Sequence, residues 1–341
     1  MKYLFNLVWI TSFLLLSCSK KDEPTPEIVP TNLSVSATVS TDNSGNVVFV
    51  ASATNANTYE YDFGNGIFQT VANGNVTYKY PASGTYTVNV IAKSANGKQI
   101  SKSIQVIVTV SLSLIWSEEF NTAGNPDAAK WSYDIGTGSG GWGNNELQYY
   151  TNRTDNASVS NGTLKITAAK ENYNGSAYTS ARLITKDKFS FKYGKIEISA
   201  KMPVGGGTWP ALWMLGSNIN AATWPACGEI DIMEHKGNEL NKIFGTVHHP
   251  AKYGANADGG NVVITNATTS FHKYAVEWNA LSIKFIVDDA VFYTVANANT
   301  LPFNQPFFIL LNVAMGGNFG GTIDPSFTTG TMEVDYIRVY Q

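Results

Sequence analysis

Apolar residues recur at every second position through much of this chain, in short runs such as Asn46-Val47-Val48-Phe49-Val50 and Tyr86-Thr87-Val88-Asn89-Val90, broken by Gly and Asn. A period of two sends alternate side chains to opposite faces of a strand, so each run needs a partner surface to cover one face. No long helical period competes with it, and the chain is therefore expected to be all-β. The alternation continues through Ile104, Val106, Val108, Val110, Leu112 and Leu114. That continuity predicts that the last strand of one unit runs almost directly into the first strand of the next, without a flexible linker. Residues 32–110 are expected to form a small β-sandwich and residues 112–341 a larger one.

Charged residues make up only 14% of the chain and the formal net charge is -3, which argues against a nucleic-acid partner. Residues 1–17 carry Lys2, then the apolar run from Leu4 to Leu16, and lead into Cys18. This order reads as a secretory signal, and the run is shorter than the roughly 18 residues that argue for a membrane-spanning helix. Leu15-Leu16-Ser17-Cys18 resembles a bacterial lipobox, which implies acylation of Cys18 and a membrane anchor made of lipid. Residues 18–31, with Pro24, Pro26 and Pro30 among charges, read as a tether, and Ser19-Lys20-Lys21-Asp22-Glu23 resembles the surface-export signal of Bacteroidetes lipoproteins. The expectation is an exported, monomeric outer-membrane lipoprotein displayed at the cell surface. With Cys18 acylated only Cys227 remains, so no intramolecular disulfide forms and Cys227 reads as a small buried filler.

The chemistry concentrates in Gly228-Glu229-Ile230-Asp231-Ile232-Met233-Glu234. On a regular strand Glu229 and Asp231 share a face while Glu234 points the other way. One extra residue, inserted as a β-bulge at Ile232-Met233, returns Glu234 to the face of the other two acids and leaves Ile230 and Ile232 to the core. Three readings stay open: an edge strand with a solvated acidic face, a carboxylate site for Ca²⁺ or Mg²⁺, and a glycosidase pair, which needs two carboxyls roughly 5 to 5.5 Å apart for retention of configuration. Trp209, Trp213 and Trp224 surround the motif and favour the last, because sugars offer flat apolar faces to aromatic rings. In that reading Glu229 is the nucleophile, Glu234 the acid/base that keeps its proton through mutual repulsion, and Asp231 the group that orients Glu229. Four histidines without paired-ligand spacing do not suggest zinc.

The E-I-D-I-M-E arrangement is similar to the signature of glycoside hydrolase family 16, and the resemblance extends over residues 112–341. Gly140-Gly141-Trp142-Gly143-Asn144-Asn145-Glu146-Leu147-Gln148-Tyr149-Tyr150-Thr151 and Tyr193-Gly194-Lys195-Ile196-Glu197-Ile198-Ser199-Ala200-Lys201-Met202-Pro203 resemble blocks of its laminarinase-like members. The resemblance implies a concanavalin A-like β-jelly roll with a cleft on its concave sheet, double displacement with retention, and no cofactor for catalysis. It implies that Trp209 and Trp213 line the cleft near the cleavage point and Trp142 its non-reducing side, with Trp224 a fourth platform. It places Asn145, Glu146 and Arg182 on glucose hydroxyls, a scaffold salt bridge being the alternative for Arg182. His248 is expected beside the acid/base, His249 pointing away, and Asn312 and Met315 near the cleft edge. A structural Ca²⁺ on Glu119, the Gly162 carbonyl and Asp335 is expected by the same resemblance, a salt bridge of Asp335 being the alternative.

The Trp142 block favours internal cleavage of a β-1,3-glucan such as laminarin, with mixed-linkage β-1,3-1,4-glucan, agar and carrageenan as alternatives. A non-catalytic glycan-binding surface lipoprotein is the alternative of another class, and the presence of all three acids speaks against it. In the first sandwich, Tyr59-Glu60-Tyr61-Asp62-Phe63-Gly64-Asn65-Gly66 and Val76-Thr77-Tyr78-Lys79-Tyr80-Pro81-Ala82-Ser83-Gly84-Thr85-Tyr86 resemble the PKD family of immunoglobulin-like modules. Tyr61 stands where Trp is usual there, and Asn65 where Asp is usual. The resemblance implies a spacer, with glycan binding as the alternative.

Overall fold

The computed structural model describes residues 28–341; the signal segment 1–17, Cys18 and most of the tether 18–31 lie outside the described residues. Two antiparallel sheets form the first sandwich. One orders Thr31–Val39, Asn46–Thr54 and Asn75–Lys79, and the other Phe68–Val71, Thr58–Asp62, Gly84–Lys93 and Gln99–Val108. Alternation puts Val47 and Phe49 of the first sheet against Tyr61, Val88 and Val90 of the second, all fully buried. Burying a tyrosine requires a partner for its hydroxyl. Tyr61 donates to the Gly74 carbonyl at 2.5 Å, and Tyr86, near the start of its strand, donates to the Ala82 carbonyl at 2.9 Å. The second bond runs back along the chain as in the tyrosine corner of immunoglobulin-type sandwiches.

Residues 109–113 form a short passage held at both ends. Val110 bridges to Ser44, and Ser113 exchanges two backbone hydrogen bonds with Gln341. Leu112 and Leu114 extend the alternation in sequence, yet both are exposed.

The second sandwich closes two larger sheets over one core. The first runs Gln148–Tyr150, Ser176–Ser180, Thr163–Tyr173, Thr329–Tyr340, Gly194–Lys201, His272–Trp278, Ser282–Val287 and Ala290–Ala296, with Ala157–Ser160 and Leu114–Glu118 paired at its side. The second has seven strands in the order Asp258–Val263, Lys242–His248, Glu229–His235, Thr208–Gly216, Phe307–Met315, Arg182–Ile184 and Ser132–Tyr133. Ile196, Ile198, Tyr274, Val276, Phe285 and Ile337 of the first meet Leu212, Met214, Ile230, Ile232, Ile309 and Leu311 of the second. The expected all-β jelly-roll sandwich is what the chain forms. Among the described residues, helix is confined to short turns at Gly141–Asn145, Gly254–Asn256 and Gly317–Gly320, and none is long and apolar enough to cross a membrane.

Candidate active site

The strand Glu229–His235 carries one residue more than its neighbours. Against Thr208–Gly216 the pairing steps from Trp213 with Asp231 to Leu212 with Met233, and against Lys242–His248 it steps from Asp231 with Thr246 to Glu234 with Phe244. This is a β-bulge at Ile232-Met233, and it changes the parity of everything that follows. Ile230, Ile232 and Met233 enter the core, while Glu229, Asp231 and Glu234 line a cleft of about 770 Å³ on the other face. The neighbours add their own alternate residues to that face: Trp209, Ala211, Trp213 and Leu215 from one side, Phe244, Thr246 and His248 from the other.

Burial pushes Glu229, Asp231 and Glu234 all up, each to about 8. For both glutamates the neighbouring Asp231 charge adds to the effect of burial. Three carboxyls enclosed together cannot all ionise at neutral pH, so the trio shares protons and titrates as a unit. Partners of the two glutamates oppose burial and favour their ionised forms. Trp209 Nε1 donates to Glu234 Oε1 at 2.9 Å, and His248 Nε2 lies 3.1 Å from Asp231 Oδ2 and 3.6 Å from Glu229 Oε1. The Gly254 backbone N–H donates to His248 Nδ1 at 3.1 Å, which leaves the proton of the neutral ring on Nε2, facing the carboxylates. His248 pairs in register with Glu229 and has Asp231 and Glu229 as its nearest carboxylates, and its charge also reaches Glu234. His249 turns away and is buried against Phe303.

Arg182 takes the scaffold salt bridge and also lines the cleft. Its guanidinium lies between the rings of Trp142 and Trp213, 4.6 and 4.7 Å from their centres, while Nε is 3.0 Å from Asp134 Oδ2. Trp213 Nε1 donates to Asn312 Oδ1 at 2.7 Å, the Asn312 amide donates to the Tyr150 hydroxyl at 3.0 Å, and that hydroxyl donates to Glu146 Oε2 at 3.1 Å. This chain fixes the Trp213 platform and Glu146 relative to each other. Trp224, 43% exposed, meets Tyr253 edge-on at 5.5 Å and leans toward His248.

Two expected contacts fall elsewhere. Asn145 is exposed and reaches Asn318 Oδ1 at 2.8 Å, because the chain turns through positive φ at Trp142, Gly143 and Asn145; Asn144 and Glu146 line the cleft instead. Met315 is fully buried, since Leu311, Val313 and Met315 share the core face of their strand and only Asn312 faces the cleft. Phe244, Thr246 and Phe319 also line the cleft, although neither charge nor motif singles them out; the only signal was an aromatic residue inside the Gly316-Gly317-Asn318-Phe319-Gly320 turn. Cys227 is a buried free thiol, as expected of a filler.

The residues expected to hold Ca²⁺ do not fit that ion. Both carboxylate oxygens of Glu119 accept from Arg338, at 3.0 and 2.9 Å, and Arg338 holds the Glu119 carboxyl below the usual range. Asp335 accepts from the Ser199 hydroxyl at 3.3 Å and has no salt bridge among the described residues, while Gly162 serves a turn at φ 73°. Among the described residues, the acids and histidines near enough to share a cation are Glu229, Asp231 and His248, within the cleft itself.

The family described as "Glycosyl hydrolases family 16" matches residues 144–338. A second, "Beta-glucan synthesis-associated protein SKN1/KRE6/Sbg1", matches residues 47–230 and stops inside the carboxylate strand, which the first match spans whole. The beta-glucanase of Rhodothermus marinus is 45% identical over 244 residues, 67% of this chain and 85% of that protein. Glucan endo-1,3-beta-glucosidase A1 of Niallia circulans is 39% identical over 259 residues, again 67% of this chain but only 38% of that protein. A glutamate-to-serine variant of LamA from Z. galactanivorans, solved in complex with laminaritriose and laminaritetraose, is 45% identical with a TM-score of 0.63, covering 67% of this chain and 99% of that one.

Proposed function

The chain belongs to glycosyl hydrolases family 16, and from that premise we propose that it is an endo-acting, retaining β-1,3-glucanase that cuts laminarin-type glucan. The observation that carries the reading is the bulged strand, which brings Glu229, Asp231 and Glu234 to one face of a cleft walled by Trp142, Trp209, Trp213 and Trp224. Glucosyl rings lie against the aromatic walls, and the acids face the bond between two of them. Glu229 attacks the anomeric carbon as Glu234 protonates the departing glycosidic oxygen, so the C–O bond to the leaving chain breaks while a glycosyl ester forms on Glu229. Glu234, now ionised, takes a proton from water, the water oxygen bonds to the same carbon, and Glu229 departs. Two inversions restore the original configuration.

In this reading Asp231 and His248 orient Glu229, with His248 Nε2 3.6 Å from Glu229 Oε1 and 3.1 Å from Asp231 Oδ2, and the shared proton load leaves one carboxyl of the trio ready to donate. Catalysis of this kind needs no cofactor, and no step passes through a metal. Outside the catalytic domain, Cys18 is read as the acylated anchor of a surface-exposed outer-membrane lipoprotein, and residues 32–110 as a PKD-like spacer; the lipobox-like segment and the tyrosine-rich motifs support these readings. Oligosaccharide release from laminarin, mixed-linkage glucan, agarose and carrageenan, by wild type and by Glu234→Gln, tests the substrate. Laminarin cut by wild type alone is expected. Cleavage of a galactan in its place would overturn the substrate, and binding of laminarin without any cleavage would make the protein a receptor.

A further inference from the structure

The polarity of one hydrogen bond determines where the acid's proton sits. Glu234 is almost enclosed, and its Oε1 accepts from Trp209 Nε1 at 2.9 Å. An indole nitrogen only donates, whereas the other neighbour of this carboxyl, the Thr246 hydroxyl, can donate or accept. A hydroxyl oxygen is a weaker acceptor than a carbonyl oxygen, so a proton on Oε1 would weaken the buried indole bond, whereas a proton on Oε2 keeps it. Resting on the role given to Glu234 above, we propose that Trp209 is a positioning residue for proton transfer: its N–H reserves Oε1 as an acceptor and leaves the transferable proton on Oε2.

The indole has little freedom to do otherwise. Phe319, on the short helical turn Gly317–Gly320, packs against its ring at 5.3 Å between centres, and Phe244 packs edge-on against Phe319. Lys236 lies over both phenyl rings, 5.0 and 4.7 Å from their centres. Trp209 therefore serves two purposes with different parts of one side chain, the ring face toward sugar and the N–H toward the acid. The same N–H favours the ionised carboxylate, so its loss raises the pKa of the acid. The other charged and titratable groups facing Glu234 are Asp231 and Glu229 on its own strand and His248 on the next. None is altered by changing the indole.

The test replaces Trp209 by β-(3-benzothienyl)-alanine, which keeps the bicyclic ring and exchanges N–H for sulfur, with W209F as the genetically simple companion. Two substrates are compared through kcat/KM, which reports the first irreversible step: laminarin, whose sugar leaving group needs the acid, and a 2,4-dinitrophenyl β-1,3-gluco-oligosaccharide, whose leaving group departs without a proton. Loss of the N–H is expected to lower kcat/KM on laminarin by about 10- to 100-fold, a large part of what a general acid supplies. With the bicyclic analogue, which keeps the sugar platform, the loss on the dinitrophenyl substrate stays within about threefold and the alkaline limb of the laminarin pH profile moves upward; W209F, which also shrinks the platform, loses on both substrates but more on laminarin. Equal losses on both substrates with an unmoved limb would show Trp209 to be a sugar platform only and overturn the proposal. E234Q, run alongside, separates this from failure of the underlying reading. If E234Q loses as much on the dinitrophenyl substrate as on laminarin, Glu234 is not the acid and the proposal falls with that role.

Discussion

Asp231 is the most enclosed of the three acids, 4% exposed, and burial alone pushes its carboxyl up to about 8. The fold thus favours its protonated form, and ionisation costs stability as pH rises from the unfolded carboxyl range, near about 3.9, through the folded value. Asp231→Asn removes that cost. The variant is expected to melt about 3 °C or more above wild type at pH 8, with the gap closing toward pH 4, while turnover falls because Glu229 loses an ionisable neighbour. Calorimetry across that range checks it, and a gap independent of pH would count against the burial argument. The same scale shows how far single residues can be read in advance. The three acids were legible because chemistry demands their types, whereas Asn145 and Met315 depended on which way a side chain points. A turn through positive φ rotated one out, and strand parity took the other into the core. Phe244 and Phe319 are ordinary aromatics until the sheet and the turn bring them to the cleft.

At the scale of elements, the bulge is the decisive feature, and it was legible because Glu234 joins its partners on one face only if one residue is extra. The neighbouring strand Lys242–His248 shows a second constraint that periodicity leaves obscure. Gly245 occupies a core-facing position where an aliphatic residue would be expected, since Phe285 of the opposite sheet lies 2.5 Å from where its Cβ would stand and Phe292 lies 2.9 Å away. The rings pack directly on bare backbone. Gly245→Ala overfills this contact and is expected to cost about 1–3 kcal/mol, read as a lower denaturant midpoint with an unchanged slope. An unchanged midpoint would mean that the two sheets yield there. Since His248 lies three residues along the same strand, the variant should also lower turnover, through a displaced His248 and Glu229.

Across the whole molecule, the two sandwiches close separate cores, and the chain passes between them through a few residues bonded to Ser44 on one side and to Gln341 on the other. The all-β class followed from the alternation, but the order of strands did not. Thr208–Gly216 pairs with Phe307–Met315, far along the chain, and such pairings depend on the shape of the completed core. That order places the carboxylate strand inside the seven-stranded sheet, with bonded neighbours on both sides, where the acids are held by main chain and not by loops. Double displacement by Glu229 and Glu234 fixes the configuration of the first product, which time-resolved proton NMR of a laminari-oligosaccharide reads. Wild type is expected to release the β-anomer first, with the α-anomer appearing only by mutarotation, and Glu229→Ala to release nothing while binding the glucan within about tenfold of wild type. Initial release of the α-anomer, or turnover by Glu229→Ala at the wild-type rate, would contradict double displacement by this pair.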